Sequence, residues 1–344
     1  MSEIGNNLKR ARYIKNMSLR DVGYSLNISA MTVSKYEKGI IIPDSKRLIE
    51  FAKLYQVKVR DLLQSKELPK MSFNSFRKKK RLTGKRLDVL KNMILNKVRD
   101  YLEVLNLNQY NPKKLIKFKC NNLEDAEEIA RKYREIINIS VIQPISDLIS
   151  ILENLGIMII QIKDVNNYIK DFDGFSEVVN NIPFIVLLDN IKDGARQRFT
   201  IAHELGHLVM DIADGLDAEK MCHRFASAFL MPRESVINEF GSFRKGISLF
   251  ELKAFKEEYK VSYTAIIYRL KDLNVISEYL YKMLSIEINT VITKNDPEPI
   301  KPEYSNQFKK LVYQLDSKNI ISLNKACELL GVSAYEYNSE NYNY

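Results

Sequence analysis

The 344-residue sequence contains no tryptophan and three cysteines, Cys120, Cys222 and Cys327. An odd number of widely spaced thiols, none in a CxxC pair, excludes a disulfide framework and a cysteine-built zinc knuckle, and it fits a reducing compartment. No run approaches the roughly 18 uninterrupted apolar residues of a membrane span. The opening MSEIGNNLKR has no apolar stretch of the kind that directs secretion. Together these absences predict a cytoplasmic protein with no membrane partner. Histidine is as scarce as cysteine: there are three, and all fall between positions 203 and 223.

With 45% hydrophobic and 28% charged residues, the composition is that of a globular chain, and its length suits two or three domains. The net charge of +10 is unevenly spread. The first hundred residues hold 24 Lys/Arg against 9 Asp/Glu, a net of +15, so the remaining 244 sum to −5. A basic front on a slightly acidic body suits a polyanion-binding module joined to something else. The opposing reading is a solvated lysine-rich surface.

Residues 4–64 show short helical patterns between polar breaks. Ile4, Leu8, Ala11 and Ile14 recur at three- and four-residue steps. Ser18 with Asp21 forms a variant capping box before a helix over Leu19–Leu26. The break Asn27-Ile28-Ser29 leads to a second helix, Ala30–Lys38, stopped by Gly39. A fourth helix capped at Asp44 or Ser45 and a fifth over Val59–Leu63 complete a five-helix unit. Two helices joined by a three- or four-residue turn are the plan of the helix-turn-helix. On that plan Ser29, Met31, Thr32, Ser34 and Lys35 face DNA, and Arg20 meets a phosphate.

These stretches, SLRDVGYSLNIS, MTVSKYEKG and LIEFAKLYQVKVRDLL, resemble the Cro/C1-type repressor family over residues 4–64. Gly23 stands where alanine is usual and Asn27 where glycine is usual, and both are compatible with the turn. The resemblance implies binding to double-stranded DNA, as a homodimer reading two half-sites. Ala30 and Met31 cannot make bidentate base contacts, so specificity is expected to be modest or to rest on DNA shape. A helical bundle used only for protein contact is the competing reading.

From Leu68 to about Lys119 the chain is polar and basic, including Arg77-Lys78-Lys79-Lys80-Arg81, with a helical pattern at Leu87–Val104. Beyond it, helices are expected at Leu123–Ile137, Ile145–Leu155, Arg196–Asp211, Ala218–Met231, Leu249–Glu258 and Tyr263–Asp272, and strands at Ile157–Ile162 and Pro183–Leu188. A last helical unit, Pro302–Leu330, precedes a polar tail, YEYNSENYNY. No repeat at a fixed period is visible. SLNKACELLGVS, beginning at Ser322, looks like a fragment of another helix-turn-helix, although a packing pair of helices is the preferred reading.

Two of the three histidines form His203-Glu204-Leu205-Gly206-His207. Residues four apart share a face of a helix, so both imidazoles can reach one Zn²⁺, while Glu204 between them can take a proton from water. The opposing reading is two surface histidines with no metal. A third ligand is sought among Asp211, Asp214, Asp217, Glu219 and His223, with Cys222 a remote alternative. Glu219 is favoured because it heads an amphipathic helix able to pack beside the first, and His223, one turn on, then stands behind the ligands or faces substrate. Arg196, Arg198, Tyr263 and His223 are candidates to stabilise an oxyanion, and the stretch around Phe172–Ser176 followed by Pro183–Leu188 is a candidate edge for an extended peptide.

FDGFS (172–176), RQRFTIAHELGHLVM (196–210) and EKMCHRFASAFLMP (219–232) resemble, in order, the ImmA/IrrE family of metallopeptidases. Asp211 and His223 depart from the residues usual at their positions. The resemblance implies a gluzincin-like core with His203, His207 and Glu219 as zinc ligands and Glu204 as catalytic base. The whole is then a mainly α (α+β) chain. It has a helix-turn-helix domain over 1–66, a basic helical connector over 67–119, a zinc metallopeptidase domain with a small sheet over 120–280, and a helical region over 281–344. The expected function is a DNA-binding transcriptional regulator fused to a zinc endopeptidase that cleaves a protein substrate, a repressor or itself, to control phage, mobile-element or stress genes. The alternative is a non-hydrolytic regulator or antitoxin whose metallopeptidase fold senses or scaffolds.

Overall fold

The computed structural model describes residues 3–15, 17–57, 59–63, 68–73, 84–163, 172–189, 193–291 and 299–342. The basic run Arg77–Arg81 lies outside them. The chain divides into two compact units, the first holding the described residues up to Met71 and from Gly84 to Asp100, the second holding Ser72, Phe73 and Tyr101 onward.

The first unit begins with five helices: α1 (Glu3–Ile14), α2 (Leu19–Ser25), α3 (Ala30–Glu37), α4 (Ser45–Tyr55) and α5 (Val59–Leu63). The caps expected for α2 and α4 are in place, and α3 has one as well. Ser18 and Asp21 form a capping box, Ser29 accepts from the Thr32 amide, and Asp44, not Ser45, caps α4. Asn27 takes the left-handed conformation (φ 51) that the turn requires. Gly23 is needed for close approach, because a Cβ there would lie 2.7 Å from the Ile28 carbonyl oxygen. Leu8, Ala11, Val22, Val33, Leu48, Phe51 and Tyr55 make the core. Within it Arg12 donates through Nε (2.5 Å) and Nη2 (2.7 Å) to the Glu37 carboxylate, tying α1 to α3. Burial opposes the Arg12 charge, but this carboxylate outweighs it and raises the guanidinium pKa.

Helix α6 (Lys85–Leu107) belongs to the first unit up to Asp100 and to the second from Tyr101. The second unit continues with β1 (Phe118–Cys120), α7 (Leu123–Ile136), α8 (Leu148–Leu155), β2 (Met158–Ile162), β3 (Gly174–Val179), β4 (Ile182–Leu188), α9 (Gly194–Val209), β5 (Met210–Ile212) and α10 (Ala218–Leu230). Then come α11 (Arg233–Phe240), α12 (Leu249–Tyr259), α13 (Tyr263–Asp272), α14 (Glu278–Val291), α15 (Gln307–Ser317), α16 (Leu323–Leu330) and α17 (Ala334–Tyr342). The protein is thus mainly helical, with small sheets in its middle region and a helical C-terminal region.

One sheet has the order β2-β4-β3, with β2 parallel and β3 antiparallel to β4. Strand β4 is buried along its whole length, as its unbroken apolar run requires of a central strand. The other sheet pairs β1 with β5 in parallel, Phe118 opposite Met210. Strands β1, β3 and β5, and helices α11 and α14, escaped the sequence reading. The helix that carries the HELGH motif ends at Val209, two residues before the expected Asp211, because Met210–Ile212 pairs with β1. Part of the expected polar tail is helical, as α17.

Segment 299–306 is bound to the α8–β2–α9 region by polar contacts that had no sequence signal. Glu303 forms an ion pair with Arg198, whose side chain is fully buried, and accepts from the Ile149 amide at the start of α8. Gln197 and Gln161 bond the backbone of Glu303 and Ser305.

Removing one partner of a buried, hydrogen-bonded ion pair strands the other, whereas replacing both can be nearly neutral. Arg12→Met is therefore expected to destabilise α1 and α3 by about 3–5 kcal/mol, and Arg12→Met with Glu37→Leu by clearly less. Native-state hydrogen exchange of the α1 and α3 amides checks this, and equal losses in the single and double variants would contradict it.

Candidate metal centre and nucleic-acid interface

Two helices build the centre. Asp193 caps α9 by accepting from the Ala195 and Arg196 amides, and Asp217 caps α10 by accepting from the Glu219 and Lys220 amides. The helices pack closely where Gly206 faces α10: a Cβ there would lie 3.2 Å from Phe225 and 3.4 Å from the Cys222 Cα. This approach brings the first turn of α10 over the HELGH turn of α9.

The result is one cluster. His203 Nε2 lies 3.2 Å from Glu219 Oε2, and His207 Nε2 lies 3.4 Å from Glu219 Oε1. Ligand atoms of the three residues fall within 4.8 Å of one another, and this is the one such group among the described residues. His203 is buried, whereas the Glu219 side chain is 41% exposed, so the cluster opens to solvent on the α10 side. Hydrogen bonds from His203 and then His207 hold the Glu219 carboxyl far below the usual carboxylate range. Two imidazoles and a carboxylate converging on one point form a donor set that suits a divalent transition metal such as zinc. The buried His203 Nδ1 has no hydrogen-bond partner among the described residues, unlike the outer nitrogen of most metal-bound histidines. Rings steady it instead: His223 lies 4.5 Å and His207 5.0 Å from it, centroid to centroid.

Glu204, between the two histidines on α9, meets strand β3. It is 2% exposed, and the Ser176 hydroxyl donates to its Oε2 at 2.8 Å. Gly174 leaves room for it, since a Cβ there would come within 3.1 Å of Glu204 Cγ and 2.7 Å of Thr200 Cγ2. Alternation along the strand turns Phe175 and Glu177 to the other side, where Phe73 stacks on Phe175 at 5.3 Å and the Ser72 and Phe73 amides donate to Glu177. The FDGFS stretch is conspicuous in the sequence, but nothing local marks Ser176 and Gly174 as neighbours of Glu204. A small residue and a hydroxyl two positions apart on one strand face were the available signal.

His223 stacks on Phe199 at 5.7 Å beside His203, with its outer edge exposed. Burial of its inner side, and then the nearby His203, push its pKa down. It lines a cleft of about 880 Å³ with Arg196, Phe199, Thr200, Lys220 and Tyr268. Other candidates fall elsewhere. Arg198 is buried against Glu303 and the Ile145 carbonyl and is removed as an oxyanion group. Arg196 pairs with Asp173 at 2.5 Å, and Tyr263 lies under the Lys256 ammonium. Asp211 is on β5, Asp217 is the cap of α10, and Cys222 is buried in the core, so none joins the two imidazoles. Strand β4 is central and cannot offer a free edge; β3 is the edge strand beside Glu204.

In the first unit, Arg20, Ser29, Met31 and Lys35 are exposed and Thr32 and Ser34 half-buried, all around α3 and the start of α2. Ser29 and Thr32 hydroxyls bond each other at 2.8 Å.

Residues 8–62 match the helix-turn-helix family, and residues 152–271 match the peptidase M78 family, described as the IrrE N-terminal-like domain. No curated protein matches the chain. The chain therefore joins a helix-turn-helix of the DNA-binding kind to a metallopeptidase-like domain, the architecture that its motifs imply. Among the described residues no helix is long and apolar enough to cross a membrane.

His203→Ala and His207→Ala are each expected to abolish binding of one equivalent of zinc, and Ser176→Ala to leave it unchanged. Metal content after dialysis, with titration calorimetry, measures this; retention of zinc by either histidine variant would contradict the cluster.

Proposed function

We propose that this protein is a DNA-binding transcriptional regulator carrying a zinc-dependent endopeptidase that cleaves a helix-turn-helix repressor. The convergence of His203, His207 and Glu219 beside Glu204 carries this reading. Bound to these three residues, zinc would supply Lewis acidity, polarising a peptide carbonyl and lowering the pKa of a water toward about 7. Glu204, on the same turn as His203, is the base that takes the proton of the attacking water and returns it to the leaving amine. Ser176 orients that carboxylate, and edge strand β3 offers backbone groups along which an extended substrate can lie. His223 and the cleft beside it lie where substrate side chains flanking the bond would go.

Ser72 and Phe73 are held on the face of β3 opposite Glu204, which keeps that stretch from the base. The first unit holds duplex DNA through Arg20 and Lys35 on phosphates, with Ser29, Met31, Thr32 and Ser34 along the groove, as a homodimer on paired half-sites.

One observation favours a second reading, a zinc-holding sensor that hydrolyses nothing. Glu204 is almost fully buried, as in a closed site. A comparison of Glu204→Gln with the wild type, each loaded with zinc and mixed with helix-turn-helix repressors, separates the two. Loss of cleavage by more than about 100-fold in Glu204→Gln is expected. Equal cleavage by both removes Glu204 from the reaction. If neither cleaves while His203→Ala alters DNA affinity, the sensor reading holds.

A further inference from the structure

The C-terminal helices repeat the cap, turn and core positions of the first three in a constant register. Adding 304 to a residue number in α1–α3 gives its counterpart in α15–α17. Ile4 and Phe308 are both packed against their cores; Leu8 and Val312, Ala11 and Leu315, Val22 and Ala326, and Val33 and Tyr337 are all buried. Leu26 with Leu330 and Ile28 with Val332 share the half-buried positions around the turn.

Backbone details keep the same register. Ser18 accepts from the Asp21 amide at 3.1 Å, and Ser322 from the Lys325 amide at 3.3 Å. Asn27 (φ 51) and Gly331 (φ 71) both take the left-handed conformation in the turn. The Ile28 amide donates to the Gly23 carbonyl at 2.9 Å, and the Val332 amide to the Cys327 carbonyl at 3.1 Å. Ser29 then caps α3 through the Thr32 amide, as Ser333 caps α17 through the Glu336 amide. Even the first-to-third-helix tie starts from one position: Arg12 reaches Glu37, and its counterpart Asp316 accepts from the Tyr337 hydroxyl at 2.8 Å.

The outward faces are where the two copies differ. Arg20 is matched by Asn324, Lys35 by Ser339, and Thr32 by Glu336, and α17 has no lysine or arginine. Phosphate contacts by cations supply most of the affinity of such a module for DNA, and a carboxylate on the reading helix opposes it. The fourth helix differs too. Leu48, Phe51 and Tyr55 of α4 close the first core, whereas the C-terminal core is closed by Val104 and Leu107 at the end of α6. Lys325 pairs with Glu103 at 2.8 Å, and the Tyr101 ring lies 4.9 Å from Phe308.

We infer that residues 307–342 are a second helix-turn-helix module on the plan of residues 3–37, stripped of its phosphate-binding cations and employed to bind the end of α6 instead of DNA. Sequence alone had favoured a plain helix pair here. The equivalence of caps, turn and core positions shows why a fragment of the motif was recognisable from Ser322.

The test uses the full-length protein and a fluorescent random-sequence duplex, with affinity followed against salt. Asn324→Ala with Ser339→Ala is expected to leave affinity within twofold. Asn324→Arg with Ser339→Lys restores the two cations and is expected to steepen the log–log salt slope by about 2. A tenfold loss in the alanine variant, or no change of slope in the Arg/Lys variant, overturns the inference. Arg20→Ala with Lys35→Ala reports separately on the first module, so failure of the proposed DNA binding there is distinguishable. Val104→Asp, read by hydrogen exchange, is expected to deprotect the α15–α17 amides; unchanged protection overturns the part assigned to α6.

Discussion

The close approach of α9 and α10 is the constraint on which the centre depends. Gly206 sits where any larger residue would meet Phe225 and the backbone of α10, so the helices can pack with Glu219 over the HELGH turn. A carboxylate set between two imidazoles of one helix presents three donors that a divalent ion would draw together. The packing of an apolar core, Leu205, Leu208, Phe225 and Phe229 among it, supplies the free energy that holds these polar groups in place.

A second constraint acts from the other side. Strand β3 contributes a glycine and a serine to one face, the first making room for Glu204 and the second bonding it. The Glu204 carboxylate is thereby aimed by a different element from the one that carries it, which fixes its orientation more tightly than a helix rotamer alone. The same α9 helix is anchored at its start, where Arg198 is buried and neutralised by Glu303, a residue more than one hundred positions later. Burying that pair costs desolvation on both partners, and the extra bonds to the Ile145 carbonyl and the Ile149 amide offset it.

The pattern of caps, turn and core positions shared by the two ends of the chain rests on few residues. Caps, one left-handed turn residue and a handful of buried positions persist, while the surface that would meet a ligand has changed charge. A module can therefore keep its architecture and lose its partner, because core packing and surface electrostatics are set by different residues.

Much was legible from local pattern alone. The helix-turn-helix caps, the Asn27 turn, the α9 and α10 helices and the two histidines one turn apart all follow from spacings within a few residues, where backbone geometry leaves few alternatives. Glu219 could be favoured, not chosen outright, since nothing local says which acidic residue a second helix will present. What the local pattern missed depends on distant partners. The pairing of β1 with β5, which shortens α9, joins segments some ninety residues apart, and Ser176 with Glu204, Arg198 with Glu303, and α6 with the C-terminal module are likewise set by chain topology. Short-range spacing dictates which side chains share a face; the folding of the whole chain dictates what that face meets, because burial and hydrogen bonding are paid only once the partners arrive.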